Sequence, residues 1–218
     1  MSDAAQVTHA SREPQQGRSR ASYERMLAAA RELLIQRGND EFALTDVAKL
    51  GKVSIGSIYC RFDSKDALLA AVQHQALAGI DAEQLSIISE ARESATDLRD
   101  LVMRLVEGLA ESLKAHAPIL RPFMLRAQID SGTSDQGKAS YGLIAEAVHA
   151  ALLSYREEVR HPEPERAAAS AFRIMYAAIA RYLGFGAVAE TAGEGDWADL
   201  KTDLGHMCAA FLTTSPPA

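Results

Sequence analysis

The chain has 218 residues, a net charge of −6, 48% hydrophobic residues and 24% charged residues. This composition excludes collagen-like, intrinsically disordered and disulfide-rich secreted proteins, and it leaves room for one large or two smaller domains. Two cysteines, Cys60 and Cys208, cannot build a disulfide framework, and charges interrupt the apolar runs before they reach membrane-spanning length. We therefore predict a cytoplasmic protein.

The charge is unevenly distributed along the chain. Residues 1–65 carry 10 Lys and Arg against 8 Asp and Glu, whereas residues 66–218 carry 13 against 21. Because phosphate is repelled by acidic surfaces, only the amino-terminal part is suited to approach a nucleic acid.

Residues 1–19 are rich in Ser, Gln, Pro and Arg, which predicts a flexible basic arm without the apolar segment of a secretion signal. Ser22 is predicted to cap a first helix whose apolar stripe ends before Gly38. Arg18 and Arg20 precede this helix, where basic side chains either contact DNA phosphate and the minor groove or remain solvated.

The segment 45–69 predicts two very short helices joined by a tight turn, followed by a third helix with its own cap. Val47 and Ile58 are spaced to share one small core. Gly51 is predicted to reverse the chain in a left-handed conformation, and Ser54 and Ser64 occupy N-cap positions. This pattern predicts a helix-turn-helix unit that reads the major groove of DNA.

The string from Val53 to Leu68, VSIGSIYCRFDSKDAL, resembles the signature V-S-x-G-x-[LI]-Y-x-x-F-x-[SN]-K-x-x-L of TetR/AcrR-type transcriptional regulators at every fixed position. Residues 29–38 also resemble the first helix of that family, so the similarity covers about residues 20–72. The resemblance implies an all-α fold. It implies a three-helix DNA-binding domain at residues 20–66 and a helical ligand-binding and dimerisation domain at residues 67–218.

The resemblance also assigns roles near the recognition helix. Ile55, Gly56 and Ser57 fall where the family faces base edges, and Tyr59 and Lys65 fall at phosphate-binding positions. The complete predicted DNA-binding set is Arg20, Thr45, Lys52, Ser54, Ile55, Gly56, Ser57, Tyr59, Cys60, Arg61 and Lys65.

Two positions depart from the family pattern. The family's Ala-Gly before Val-Ser is Gly-Lys here, so Lys52 is predicted to adopt the left-handed turn conformation at some energetic cost. Phe42 and Ala43 replace the Thr-Ser pair that usually caps the second helix and binds phosphate, and Thr45 substitutes for it only partly.

Two side chains of the recognition segment have open roles. Arg61 stands where the family often has His or Tyr, and it either binds phosphate or reaches guanine. Cys60 is placed on the DNA-facing side, where oxidation or alkylation of an exposed thiol would disrupt a DNA complex. The alternative for Cys60 is a small side chain without a sensing role.

The remaining chain predicts helices only. A helix starting at Lys65 is predicted to end near residue 85, and the next spans 96–115 and is closed by Pro118. A short helix contains Pro122, a turn-rich loop covers 130–137, and a helix covers 139–159. The segment 161–164 breaks the chain before a helix that ends near residue 185, and a last helix covers 196–212.

The last two long helices carry apolar stripes at helical spacing, flanked by many alanines. In the resembled family these helices form the homodimer as a four-helix interface, and the alternative is that both stripes face the protomer's own core. The stripes consist of Phe172, Met175, Tyr176, Ile179 and Leu183, and of Trp197, Leu200, Leu204, Met207 and Phe211.

A small-molecule pocket among the central helices is implied by the same resemblance. The candidate lining is polarisable or aromatic, although for each residue taken alone ordinary core packing is the preferred interpretation. The candidates are Met103, Phe123, Met124, Tyr141, His149, Phe172 and Met175. Arg121 and Arg126 favour an anionic ligand unless they are solvated.

Catalytic and metal-binding motifs are missing from the sequence, and the six histidines are scattered. We therefore predict no enzyme, no cofactor and no metal. The predicted function is a homodimeric repressor that a small molecule releases from a palindromic DNA operator. The alternatives are an activator, and a small-molecule-binding or catalytic helical protein of the same fold that does not bind DNA.

Overall fold

The computed structural model describes residues 13–185 and 192–215, with side chains from Ser19 onward. These residues form eight α-helices and a single 3-10 turn at Arg156–Glu158, without any β-strand, which confirms the predicted all-α fold. The helices are α1 (Glu13–Arg37), α2 (Leu44–Leu50), α3 (Ile55–Tyr59), α4 (Lys65–Ser94), α5 (Leu98–Arg126), α6 (Ser131–Leu153), α7 (Pro164–Tyr182) and α8 (Trp197–Thr213).

The helices belong to two compact units. Unit 1 contains α1, α2, α3 and the start of α4 up to Val72, and unit 2 contains Gly38–Asp40 and the chain from Gln73 onward. The predicted division after residue 66 falls in the first turn of α4, whereas the two compact units separate further along the same helix.

Unit 1 is organised around a small core to which every one of its helices contributes. Met26 and Leu34 of α1, Val47 of α2, Ile58 of α3 and Leu68 of α4 are each at most 1% exposed. With seven and five residues, α2 and α3 are too short to be stable in isolation. Their helical conformation therefore depends on the shared core.

The first helix is longer than the sequence predicts. It begins at Glu13, so Ser22 lies inside α1 rather than at its cap, and part of the predicted arm is helical. Glutamine and arginine are good helix formers, and they outweigh the single Gly17 in this stretch. Residues 1–12 of the predicted arm and the side chain of Arg18 lie outside the described residues.

In unit 2, α5 packs against α6, α7 and α8. The predicted end at Pro118 is wrong, because α5 continues through Pro118 and Pro122 to Arg126. An interior proline costs about 3 kcal/mol. Burial of Ile119 and Phe123 beyond the first proline offsets this cost by removing two large apolar side chains from water.

Capping residues set the other helix boundaries of unit 2. The predicted loop at 130–137 is wrong, because the Asp130 carboxylate accepts a hydrogen bond from the Thr133 N–H at 2.8 Å and starts α6. The predicted break before α7 is confirmed, with Pro164 in its first turn. Asp196 caps α8 by accepting from the N–H groups of Ala198 and Asp199.

Two further helix ends differ from the prediction. The helix that starts at Lys65 extends to Ser94 instead of ending near residue 85, and α6 ends at Leu153 before the 3-10 turn. Along the described ranges, no helix combines the length and apolarity needed to cross a membrane.

Candidate nucleic-acid interface and ligand cavity

In the turn between α2 and α3, the prediction that Gly51 takes the left-handed conformation is wrong. Gly51 has φ −75°, so it is not the left-handed residue. Glycine is required there by space, because a Cβ would lie 3.0 Å from the Arg25 carbonyl oxygen and 3.1 Å from that of Val47. Lys52 has φ 51°, which confirms that it takes the left-handed conformation.

Ser54 caps the recognition helix α3, as predicted. Its Oγ accepts a hydrogen bond from the Ser57 N–H at 3.0 Å and lies 2.8 Å from the Ser57 hydroxyl. Ile58 points into the core with no exposed surface, whereas Ile55 is 37% and Tyr59 59% exposed. The cap therefore fixes which side of this short helix faces the solvent.

Gly56 adds open backbone to that exposed side. A Cβ built on it would meet no atom closer than the Ser54 Oγ at 3.9 Å. A ligand or a DNA strand can therefore approach the backbone of α3 at this position without steric conflict inside unit 1.

The start of α2 lacks a side-chain cap, which agrees with the departure noted at Ala43. The Ala43 N–H instead donates to the Asp46 carboxylate at 3.1 Å, and Arg37 makes a 3.0 Å ion pair with the same carboxylate. Thr45 is exposed and Phe42 is buried. Phe42 thus contributes packing where the family pattern has a small polar residue.

Arg61 is engaged inside unit 1. Its guanidinium donates to the backbone carbonyl of Ser19 at 2.9 Å and to the Ser19 hydroxyl, and it lies 5.9 Å from the Tyr23 ring centroid. Tyr23 also stacks on Phe62 at 5.6 Å. In this conformation Arg61 joins the end of α3 to α1, while the neighbouring Cys60 thiol is exposed.

Three cationic side chains of the predicted set lie at the surface of unit 1. Arg20 and Lys52 are exposed, and Lys65 is half-buried at the start of α4. The Lys65 ammonium lies 5.0 Å from the Phe42 ring centroid, a cation–π distance. Ser64 caps this helix by accepting from the Ala67 N–H at 3.1 Å.

The apolar stripes predicted for the dimer interface divide into two groups. Phe172, Met175 and Ile179 of α7 belong to the core of unit 2, so for these residues the core alternative is correct. On α8, Leu204 is also buried, whereas Met207 is 65% exposed. The exposed apolar side chains of the two helices are Ile174 and Ala177 of α7 and Ala198, Met207, Ala210 and Phe211 of α8.

A cavity of about 50 Å³ lies among α4, α5, α6 and α7. Three predicted ligand residues, Met124, Tyr141 and Phe172, line it. The ring of Tyr141 lies 5.3 Å from that of Phe172 and, edge to face, 4.9 Å from that of Tyr176. Gln84 also lines the cavity but was not predicted from the sequence. A polar residue at a core-facing position of α4 could have indicated it.

The other predicted ligand residues lie elsewhere. Met103 packs against α8, where its Sδ would be 2.5 Å from a Cβ on Gly205, and Phe123 is buried without lining any described cavity. His149 lines a surface groove of about 270 Å³ that shares Tyr141 and Phe172 with the cavity.

Met175 lines a separate hollow of about 10 Å³ beside Cys208, which is at the lower limit of the volume that one water molecule needs. Burial raises the pKa of the Cys208 thiol to about 11, so this cysteine is a neutral core side chain.

The two arginines expected near an anionic ligand have other partners. Arg121 donates to the Leu183 carbonyl at 2.8 Å, and Arg126 forms ion pairs with Asp40 and Asp130. Neither arginine lines the cavity, so this cavity lacks the cationic side chains that were expected to favour an anionic ligand. Within the described ranges, no three His, Cys, Asp or Glu side chains cluster in a way that could hold a metal ion.

Comparison with known proteins agrees with the geometry of unit 1. Residues 26–72 match the model of the family described as bacterial regulatory proteins, tetR family. This match spans the carboxy-terminal half of α1, all of α2 and α3, and the start of α4, and therefore includes the capped recognition helix. No curated protein matches the chain.

Solved structures share the fold over most of the chain at low sequence identity. A TetR-family transcriptional regulator from Mesorhizobium loti is 16% identical, with a TM-score of 0.71 over 89% of this chain and 96% of that one. GusR from Salmonella enterica is 19% identical, with a TM-score of 0.61 over 94% and 99%. A TetR family regulator from Marinobacter aquaeolei is 17% identical, with a TM-score of 0.58 over 90% and 98%.

Residues 26–72 of unit 1 thus resemble the helix-turn-helix domain of the tetR family, and the chain shares its fold with solved structures of TetR-type regulators.

Proposed function

We propose that this protein is a homodimeric repressor that binds a palindromic operator and is released from it by a small molecule. The observation that carries the proposal is the Ser54-capped α3, which buries Ile58 and leaves Ile55, Gly56 and Tyr59 open to a partner. A helix with one buried and one open side is the arrangement that the major groove accepts.

The chemistry of the open side suits DNA. Ile55 can contact thymine methyl groups, and Ser57 can exchange hydrogen bonds with base edges. The exposed Tyr59 hydroxyl and Lys52 ammonium can contact phosphate, and such contacts set register and affinity but carry no sequence information. Arg61 fits a supporting role better, because its guanidinium already holds Ser19.

Dimerisation is required by the length of the reading helix. Five residues reach only a few base edges, so one copy supplies little specificity. Two copies related by a dyad would read half-sites about 34–36 Å apart or at a related spacing. The exposed apolar side chains of α7 and α8, among them Ile174 and Met207, support a second copy as the occupant of this surface, since isologous interfaces bury such faces.

Release by a small molecule follows from linkage. Suppose that a ligand binds more tightly to a dimer whose two recognition helices are too far apart or too close to fit the operator. By linkage, the ligand then lowers the affinity for the operator by the same factor by which the operator lowers the affinity for the ligand. The cavity lined by Tyr141 and Phe172 is the candidate site for that ligand.

Selection of bound sequences from a random DNA pool tests the DNA-binding proposal. We expect enrichment of a short near-palindrome, and salt-sensitive binding to it. Tyr59→Ala and Lys52→Ala should weaken binding by roughly tenfold or more, whereas Lys138→Ala, which removes another exposed cation on α6, should leave it unchanged. If no sequence is enriched, the protein is the alternative, a ligand-binding protein of this fold without DNA-binding activity.

Sedimentation of a Met207→Asp variant tests the dimer. A carboxylate in the middle of an apolar interface should shift the protein to monomer at micromolar concentration, while Thr202→Asp, on the same helix, should not. A monomeric wild-type protein would contradict the proposed assembly.

A further inference from the structure

The side-chain amide of Gln84, in the wall of the cavity in unit 2, has a hydrogen-bond donor without a partner among the described residues. The residue is 5% exposed, and its Nε2 atom has no hydrogen-bond partner among the described residues. Buried amide groups are normally paired, because an unpaired donor loses its hydrogen bonds to water without replacement. A donor kept in this state at a cavity wall indicates a partner that is not part of the chain.

The rest of the cavity wall is apolar or neutral. Leu113 and Leu120 of α5 and Ile144 of α6 line it together with the aromatic rings, and none of the described lining side chains is ionised at neutral pH. A charged ligand entering this space would lose its hydration without meeting an opposite charge. The wall therefore selects against ions of either sign.

Ser140 and two tyrosines supply the other polar groups of the wall, and the Ser140 hydroxyl donates to the Asp81 carboxylate. Tyr141 and Tyr176 meet edge to face at 4.9 Å. Burial, and then the neighbouring Tyr141, raise the pKa of Tyr176 above its ordinary value, so its hydroxyl stays protonated and remains a donor. With Gln84, the cavity presents hydrogen-bond donors and no anion.

We propose that this cavity binds an uncharged, mainly apolar small molecule that presents one hydrogen-bond acceptor, such as a ketone or ester oxygen, to Gln84 Nε2. The inference rests on the proposed function, because it names the chemical class of the effector.

The size of the cavity limits the ligand. A cavity of 150 Å³ holds benzene, and this one has about 50 Å³. Tyr141 and Phe172 line both this cavity and the larger surface groove beside it. Because this volume is smaller than benzene needs, we expect a ligand of that size to displace a side chain of the shared wall, such as Tyr141.

Three compact probes of similar size test the proposal on the full chain. Cyclopentanone carries an acceptor, methylcyclopentane carries none, and cyclobutanecarboxylate is anionic. Dissociation constants are measured by titration in ¹H–¹⁵N NMR spectra, which also report the side-chain amide signal of Gln84. We expect cyclopentanone to bind about tenfold more tightly than either other probe and to shift that amide signal downfield.

Substitutions separate the donor from the shape of the cavity. Gln84→Leu should bring the preference for cyclopentanone over methylcyclopentane below about twofold. Gln73→Leu changes the other buried glutamine of α4, which lies outside the cavity wall, and should preserve the tenfold preference. If Gln84→Leu does not fold, the wild-type preference and the Gln84 amide shift still decide.

Three results would overturn the inference: equal affinity for the ketone and the hydrocarbon, tightest binding of the carboxylate, or no saturable shift with any probe. Operator binding is measured separately in the absence of probes. If the protein binds its operator but does not prefer cyclopentanone, only the proposed ligand class is refuted. If the protein binds no operator, the proposed regulator function is refuted.

Discussion

Unit 1 and unit 2 hold their helices together in different ways. In unit 1 the glycine at the turn, Gly51, faces backbone carbonyl oxygens that cannot move independently. In unit 2, a Cβ on Gly205 would instead meet the flexible end of the Met103 side chain. Among described residues, the buried side-chain atoms without hydrogen-bond partners all lie in unit 2. Unit 1 is thus specified rigidly, while unit 2 keeps deformable packing and unused polar groups around its cavity.

The largest effect should come from breaking the small core of unit 1. Ile58→Ala should lower the free energy of unfolding by about 2–5 kcal/mol, because a fully buried side chain is removed from a core with few others. Ile55→Ala, on the exposed side of the same helix, should cost less than about 1 kcal/mol and weaken operator binding instead. Urea denaturation followed by circular dichroism measures both; equal losses of stability would contradict the assigned orientation of α3.

Alanine substitutions at Gly51 and Gly205 test whether the packing of unit 1 is more rigid than that of unit 2. Gly51→Ala should destabilise the protein by about 1–3 kcal/mol, because the new Cβ meets two carbonyl oxygens. Gly205→Ala meets only the Met103 thioether, which can rotate away, and alanine favours helix, so its net effect should stay within about 1 kcal/mol. A larger loss at Gly205 than at Gly51 would reverse the comparison between the two units.

A smaller gain is expected at the left-handed residue of unit 1. Lys52→Gly should stabilise the protein by about 0.5–1 kcal/mol, since it relieves a left-handed strain of about 1–2 kcal/mol and adds glycine's entropy cost. Lys52→Ala removes the same charge but keeps the strain, so it serves as the control. Thermal unfolding should rank glycine above lysine and alanine; no difference would show that the turn is unstrained.

The smallest effect concerns an exposed polar cluster of unit 2. Hydrogen bonds from Lys201 and then Trp197 hold the pKa of Glu111 below its ordinary value. A lowered folded-state pKa gives stability that is present above pH 4.5 and is lost as the pH falls through the folded value. Glu111→Gln should flatten this acid dependence slightly, as followed by the fluorescence of Trp197, the single tryptophan. An unchanged acid profile would show that the cluster contributes nothing.

Sequence predicted the recognition unit better than the ligand cavity for a physical reason. Caps and turns depend on a few neighbouring residues, so Ser54, Ser64 and the strain at Lys52 could be identified from local pattern. The role of Gly51 does not follow from local pattern, because it is a close approach to the Arg25 carbonyl, and that contact joins distant parts of the chain.

In unit 2 the pattern identified helices but not their partners. The apolar periodicity of α7 could not distinguish protomer core from dimer face, and Met103 and Met124 look alike in sequence although only Met124 lines the cavity. Capping by Asp130 was overlooked because the following residues are typical of turns. The continuation of α5 past Pro118 depends on tertiary burial, which a propensity argument does not contain.

The two prolines inside α5 have a consequence for backbone exchange. Proline has no N–H group, so Pro118 and Pro122 cannot donate to the carbonyls of Lys114 and Pro118. Two backbone hydrogen bonds on the same face of α5 are therefore missing. The same stretch bears Leu113, Leu120 and Met124, which form one wall of the cavity. Opening that wall breaks fewer hydrogen bonds than opening any uninterrupted helix, so amide protons between residues 114 and 126 should exchange faster than those at the start of α5.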